Sequence, residues 1–88
     1  MKKFIDFVMY TGLADFEKAQ EFLFAKGYKW WSIGKVLKTK EYISTGDKTC
    51  IHADKRGILF FDNIEFYKSS GYEIYYLGKN PLSKLELE

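Results

Sequence analysis

The chain is poor in the residues that most chemistry and most covalent stapling require. Its one cysteine, Cys50, cannot form a disulfide within the chain, so a secreted disulfide scaffold is excluded. Its one histidine, His52, and Cys50 supply too few ligands for a tetrahedral zinc site unless carboxylates or a second chain complete it. Its one arginine, Arg56, leaves little capacity for sequence-specific base reading, which leans on arginine forks at guanine. Long apolar runs are also missing. The longest, Phe4 to Tyr10, is broken by Asp6 and is too short to cross a bilayer. The opening Met1-Lys2-Lys3 is basic and precedes apolar residues, but no small-residue cleavage site follows, so a signal peptide is not expected. No membrane association and a reducing, cytoplasmic location are the expectations.

Catalytic signatures are missing as well. Gly46-Asp47-Lys48-Thr49 ends in Lys-Thr but lacks the earlier glycine of a phosphate loop. No Gly-x-Ser-x-Gly elbow occurs. Cys50 and His52 would share one face of a strand, about 6.5–7 Å apart by strand rise, which is awkward for thiolate activation. Cys50 therefore reads as a small buried apolar group. His52 with Asp54 or Glu65 is the one acid–base pairing that could be drawn. The chain is expected not to be an enzyme, and to hold no metal and no cofactor.

What the chain does have is rings. Of its 88 residues, 19% are aromatic: eight Phe, seven Tyr and two Trp. Large rings bury much area per residue, so a chain of this length can hold one core without staples. A single domain over residues 1–88 is expected, with a loose tail from about residue 79, where Asn80-Pro81 breaks the pattern.

Hydrophobic spacing sets the elements. Lys3 to Tyr10 reads as a strand. Asp15 is placed as the N-cap of a helix running to Lys26, with Phe16, Ala19, Leu23 and Phe24 on one side and Gly27 as the stop. Tyr28 to Ile33 returns as a strand in which Trp30 and Trp31 point to opposite faces, so one indole enters the core. Val36 to Ile43 is a further short strand or an extended connection. Lys48 to Ala53 and Ile58 to Phe61 form a hairpin around Asp54-Lys55-Arg56-Gly57. Asp62-Asn63 caps a short helix from Ile64 to Ser70 that Gly71 closes, and Tyr72 to Leu77 is the last strand. The predicted fold class is α+β. It is a two-layer arrangement: a mostly antiparallel sheet of four or five strands, one main helix and one short helix, in the order β-α-β-β-β-α-β. The expected core comprises Phe4 or Ile5, Phe7, Val8, Phe16, Ala19, Leu23, one Trp, Ile51, Leu59, Phe61, Ile74 and Tyr76. Gly27-Tyr28 and Gly71-Tyr72, each closing a helix before a strand, echo one another; this is either a repeated β-α-β half or a common way of turning a chain back.

A net charge of +2 hides a segregation. Residues 26–56 are strongly basic while both flanks are slightly acidic, and no acid occurs between Phe22 and Lys40. Tyr28, Trp30 and Trp31 are interleaved with the lysines there. Ammonium groups beside exposed rings can engage phosphates and bases, or an acidic protein patch with a tryptophan as anchor. The candidate binding residues are Lys26, Tyr28, Lys29, Trp31, Lys35, Lys38, Lys40 and Arg56, with Tyr75 from a second ring cluster of Tyr67, Tyr72, Tyr75 and Tyr76. The competing reading is solvating lysines and core tryptophans.

The order strand, helix Asp15-Phe16-Glu17-Lys18-Ala19-Gln20-Glu21-Phe22-Leu23, then Gly27-Tyr28-Lys29-Trp30, an aromatic hairpin and a closing Gly71-Tyr72-Glu73-Ile74 resembles small accessory proteins of tailed phages. The resemblance implies a host-takeover or anti-defence role in the host cytoplasm. Such products bind and block a host protein, often a nuclease, toxin or defence component. The partner expected is a host protein with an acidic or mixed surface. RNA or DNA, or a nucleotide trapped between rings, are the alternatives, and a homodimer through the Lys35 to Ile43 edge or a shared Trp fits the pattern.

Overall fold

The computed structural model describes residues 4–39, 41 and 46–76. Seven elements follow in the expected order: β1 (Phe7–Tyr10), α1 (Phe16–Ala25), β2 (Lys29–Trp30), β3 (Thr49–Ala53), β4 (Ile58–Asn63), α2 (Ile64–Ser69) and β5 (Ile74–Tyr76). A 3-10 turn at Gly46–Lys48 leads into β3. The tail expected from about residue 79 lies outside the described residues.

The five strands make one mixed sheet in the order β2-β4-β3-β1-β5. The two longer ladders, β1 with β3 and β3 with β4, are antiparallel. The outer strands β2 and β5 pair in parallel with β4 and β1. A parallel neighbour needs a crossover, and each helix supplies one. The two crossovers run in opposite directions across the sheet. A common right-handed sense therefore requires their helices to lie on opposite faces.

Packing agrees with that requirement. On one face α1 contributes Phe16, Ala19 and Leu23 to a core with Met9, Tyr28, Trp30, Ile51, Ala53 and Leu59. On the other, Ile64 and Tyr67 of α2 cover Val8 and Cys50. The sheet with its main helix is the layer pair anticipated from the sequence, and the short helix adds a smaller core behind it. The units β1-α1-β2 and β4-α2-β5 occupy equivalent positions about β3, as a two-fold axis along that strand would place them. Their helix ends match too. The Tyr28 N–H donates to the Leu23 carbonyl and the Tyr72 N–H to the Tyr67 carbonyl, each at 3.0 Å. Gly27 and Gly71 supply the positive φ values of 100° and 84° that this closure needs.

Two local expectations change, and a third, left between a strand and a connection, resolves to the connection. Asp15 sits at the N-cap of α1, but its side chain makes no capping hydrogen bond, whereas Asn63 caps α2 by accepting the Glu65 N–H at 2.8 Å. The strand expected from Tyr28 to Ile33 keeps only Lys29 and Trp30. The backbone then folds back on itself, with Trp30 and Gly34 exchanging hydrogen bonds of 2.9 and 3.1 Å. Gly34 at φ 68° permits that turn. Residues 35–39 form no strand, so the described part of Val36 to Ile43 is a connection; Lys40 and the segment 42–45 lie outside the described residues.

Candidate functional site

The turn that ends β2 decides which indole is exposed. Trp30 is 3% exposed and lies against Phe16 and Phe61 under α1. Trp31 is 71% exposed, because it begins the turn rather than alternating along a strand. Ile33 and Val36, further along the same segment, are also exposed, as are Lys29 and Lys35.

One buried amide holds this segment in place. Gln20 Oε1 accepts the Trp30 Nε1–H at 2.9 Å and the Lys38 backbone N–H at 2.7 Å. Gln20 Nε2 donates to the Lys38 carbonyl at 2.7 Å and to the Phe16 carbonyl at 3.2 Å. All four hydrogen-bonding capacities of the amide are engaged, so the residue is buried without an orphaned polar atom. Lys38 thereby sets its ammonium 5.4 Å from the Trp30 ring and 5.9 Å from the Phe61 ring. A groove of about 230 Å³ results, lined by Trp30, Trp31, Ser32, Lys38, Leu59, Phe60 and Phe61.

Lys29, Trp31, Lys35 and Lys38 therefore belong to one edge of the sheet. Lys26 closes α1 with its ammonium 5.7 Å from the Phe22 ring, near the start of β2. Arg56 lies beside Lys29, whose N–H donates to the Gly57 carbonyl at 2.9 Å. Its guanidinium is already engaged by Asp54 at 2.6 Å. Lys40 is outside the described residues. Two candidates do not join the edge. Tyr28 is 1% exposed, its hydroxyl donating to the Ile5 carbonyl and accepting the Ile5 N–H; helix closure at Leu23 pins it inside. Burial raises the pKa of its phenol, so it is a structural hydroxyl. Tyr75 sits on β5, at the opposite end of the sheet, about 19 Å away at four strand spacings, and packs toward the α1 core. Ile33, Val36 and Phe60 were not singled out from the sequence. The pair Phe60-Phe61 carried the only signal, since adjacent strand residues face opposite ways.

The second chemical group of interest is His52. Its Nε2 lies 2.9 Å from Asp6 Oδ1. The sequence pairing with Asp54 or Glu65 is corrected: antiparallel register sets Phe7 opposite Ala53 and Val8 opposite His52, which brings Asp6 alongside. Asp54 instead accepts the Arg56 and Ile58 backbone N–H groups at 2.9 and 3.1 Å, together with the Arg56 side chain. Burial of the Asp54 carboxyl acts to raise its pKa. The Arg56 side chain, the two backbone donors and the nearby positive charge outweigh it and hold the carboxyl below its usual range. Cys50 is fully buried, and burial pushes its thiol up to about 12, slightly offset by Lys68. A protonated, buried thiol is not a nucleophile at neutral pH.

Two further depressions are open to solvent. One, of about 310 Å³, runs along Asp6, Phe7, Val8, Tyr72, Glu73, Ile74 and Tyr75, beside the His52–Asp6 pair. The other, of about 590 Å³, lies at the start of α1 between Leu13, Ala14, Glu17, Lys18, Glu21 and Asp47. Its three carboxylates oppose a phosphate-bearing ligand. Among the described residues no cluster of three or more His, Cys, Asp or Glu could hold a metal ion, and no helix is long and apolar enough to cross a membrane. The chain matches no protein-family model, no curated protein and no solved structure.

Proposed function

We propose that this chain is a non-enzymatic binding protein that docks an acidic protein surface through the β2 edge and so blocks its partner. The supporting observation is the placement of Trp31. It is a large ring held in water on a turn flanked by Trp30 and Lys38, which one buried amide holds, with Lys38 in the same groove and Lys29, Ile33, Lys35 and Val36 exposed in the adjoining chain. A rigid aromatic anchor with a cationic rim is what interface hot spots are made of. Pre-ordering of the turn by Gln20 lowers the entropy lost on docking. The phage-like sequence pattern directs the proposal to a host nuclease, toxin or defence component in the cytoplasm.

The test is capture from bacterial lysate with the immobilised chain, comparing wild type with Trp31→Ala. The reading expects one protein retained in near-equal molar amount by wild type and lost with the variant. Equal retention by both overturns it. So does a retained nucleic acid whose affinity falls steeply with salt, since that slope marks phosphate neutralisation.

A further inference from the structure

Phe60 joins two surfaces of opposite charge. On one side it lines the groove with Trp31 and Lys38, at the edge that also carries Lys29 and Lys35. On the other side its ring lies 6.2 Å from His52, the start of a continuous run of rings on the α2 face. His52 is 5.0 Å from Tyr72, Tyr72 is 5.4 Å from Tyr67, and Tyr67 is 5.2 Å from Phe66. Phe60, Tyr72 and Phe66 remain 39%, 40% and 51% exposed. This face is rimmed by the exposed acids Asp6, Asp62, Glu65 and Glu73, against the single α2 cation Lys68. The molecule thus carries one apolar band with a basic end and an acidic end, and Phe60 between them.

Such a band is complementary to itself when turned end for end. A two-fold axis near Phe60 lays the basic end of one copy over the acidic end of the other, twice, and closes the assembly at two. Trp31 of each copy then meets the ring face of its mate. We propose that the chain forms a symmetric dimer through this band, the occupant of each basic edge being the acidic ring face of a second copy. The inference rests on the β2 edge being a docking surface, and a partner would have to displace the second copy to reach it.

Sedimentation across a concentration series tests this with the whole chain. Wild type is expected to reach a dimer and to dissociate as salt rises. The pair Lys29→Glu with Lys35→Glu, and separately Glu65→Lys with Glu73→Lys, should each weaken the dimer about tenfold or more by setting like charges opposite one another. Mixing the two variants in equal amounts should restore a heterodimer, because one then offers two acidic ends and the other two basic ends. Phe60→Ser, with its fold checked by circular dichroism, should be monomeric. A wild type that stays monomeric, a mixture that stays monomeric, a dimeric Phe60→Ser, or growth beyond the dimer overturns the proposal. A monomeric wild type that still captures a protein through Trp31 overturns the dimer alone. A dimer whose capture ignores Trp31 overturns the function alone.

Discussion

Trp30 Nε1–H donates to Gln20 Oε1 at 2.9 Å, and that same oxygen accepts the Lys38 N–H at 2.7 Å. One side chain on α1 thus ties the core indole to the segment that carries the exposed one. Replacing Gln20 by Ala leaves the Trp30 N–H and both Lys38 backbone groups without this partner. A loss of about 2–4 kcal/mol in urea unfolding is expected from unsatisfied buried polar groups and the cavity. Amide exchange around Lys38 should accelerate in the variant even under native conditions.

The adjacent tryptophans should respond in opposite ways. Trp31→Ala removes a ring that is 71% exposed, so its stability should stay within about 0.5 kcal/mol of wild type. Trp30→Ala removes a ring from the α1 core and should cost about 3–5 kcal/mol. Acrylamide quenching of emission should fall sharply in Trp31→Phe and not in Trp30→Phe.

Glycine positions separate strain from crowding. A Cβ at Gly57 would lie 2.8 Å from the Phe4 ring, which itself packs on Tyr28 at 4.9 Å. Gly34 has open space around it and carries only the positive φ of 68°. Gly57→Ala should therefore cost more than Gly34→Ala. The latter is expected near 1 kcal/mol and the former about 2–3 kcal/mol. Thermal unfolding of the two variants gives the comparison directly.

Asp54 makes stability depend on acid. Its folded-state carboxyl lies below the usual range, so it contributes stability above the unfolded carboxyl pKa of about 4. That contribution is lost as pH falls through the lower, folded value. Asp54→Asn should flatten the acid limb of the stability profile in urea titrations from neutral pH downward. An unchanged acid limb would mean that the turn draws nothing from the charge.

Cys50 acts at the other end of the scale. With its thiol raised from 9.0 to about 12 in the folded chain, the unfolded chain ionises first as pH rises. Its contribution to stability is full below pH 9 and is lost between those two values. Maleimide should label Cys50 in the native protein only at the rate of opening, and quickly once the chain is unfolded.

Helices and turns were legible from the chain because their signals are local. Gly27 after Lys26, Asn63 before Ile64 and Gly57 after Arg56 mark ends that need only a few neighbouring residues to act. The order of elements followed from hydrophobic spacing for the same reason. Contacts made by register were not legible. Asp6 and His52 are 46 positions apart, and only the β1–β3 pairing joins them. Gln20 gives no sign in the sequence of what it holds, because its partners Trp30 and Lys38 lie 10 and 18 positions on. Tyr28 sits among lysines in the chain, yet the closure of α1 turns its ring inward. Composition located a basic segment. The turn at Gly34 decided which of its rings reaches water.

The most direct measurement of the account is the footprint of the captured partner by amide hydrogen exchange. Relative to the chain diluted to monomer, the account predicts new protection concentrated in residues 29–38, with the outer face of α1 and the β5 edge unchanged. Protection centred on α1 or on β5, with residues 29–38 exchanging as in the free chain, would contradict it.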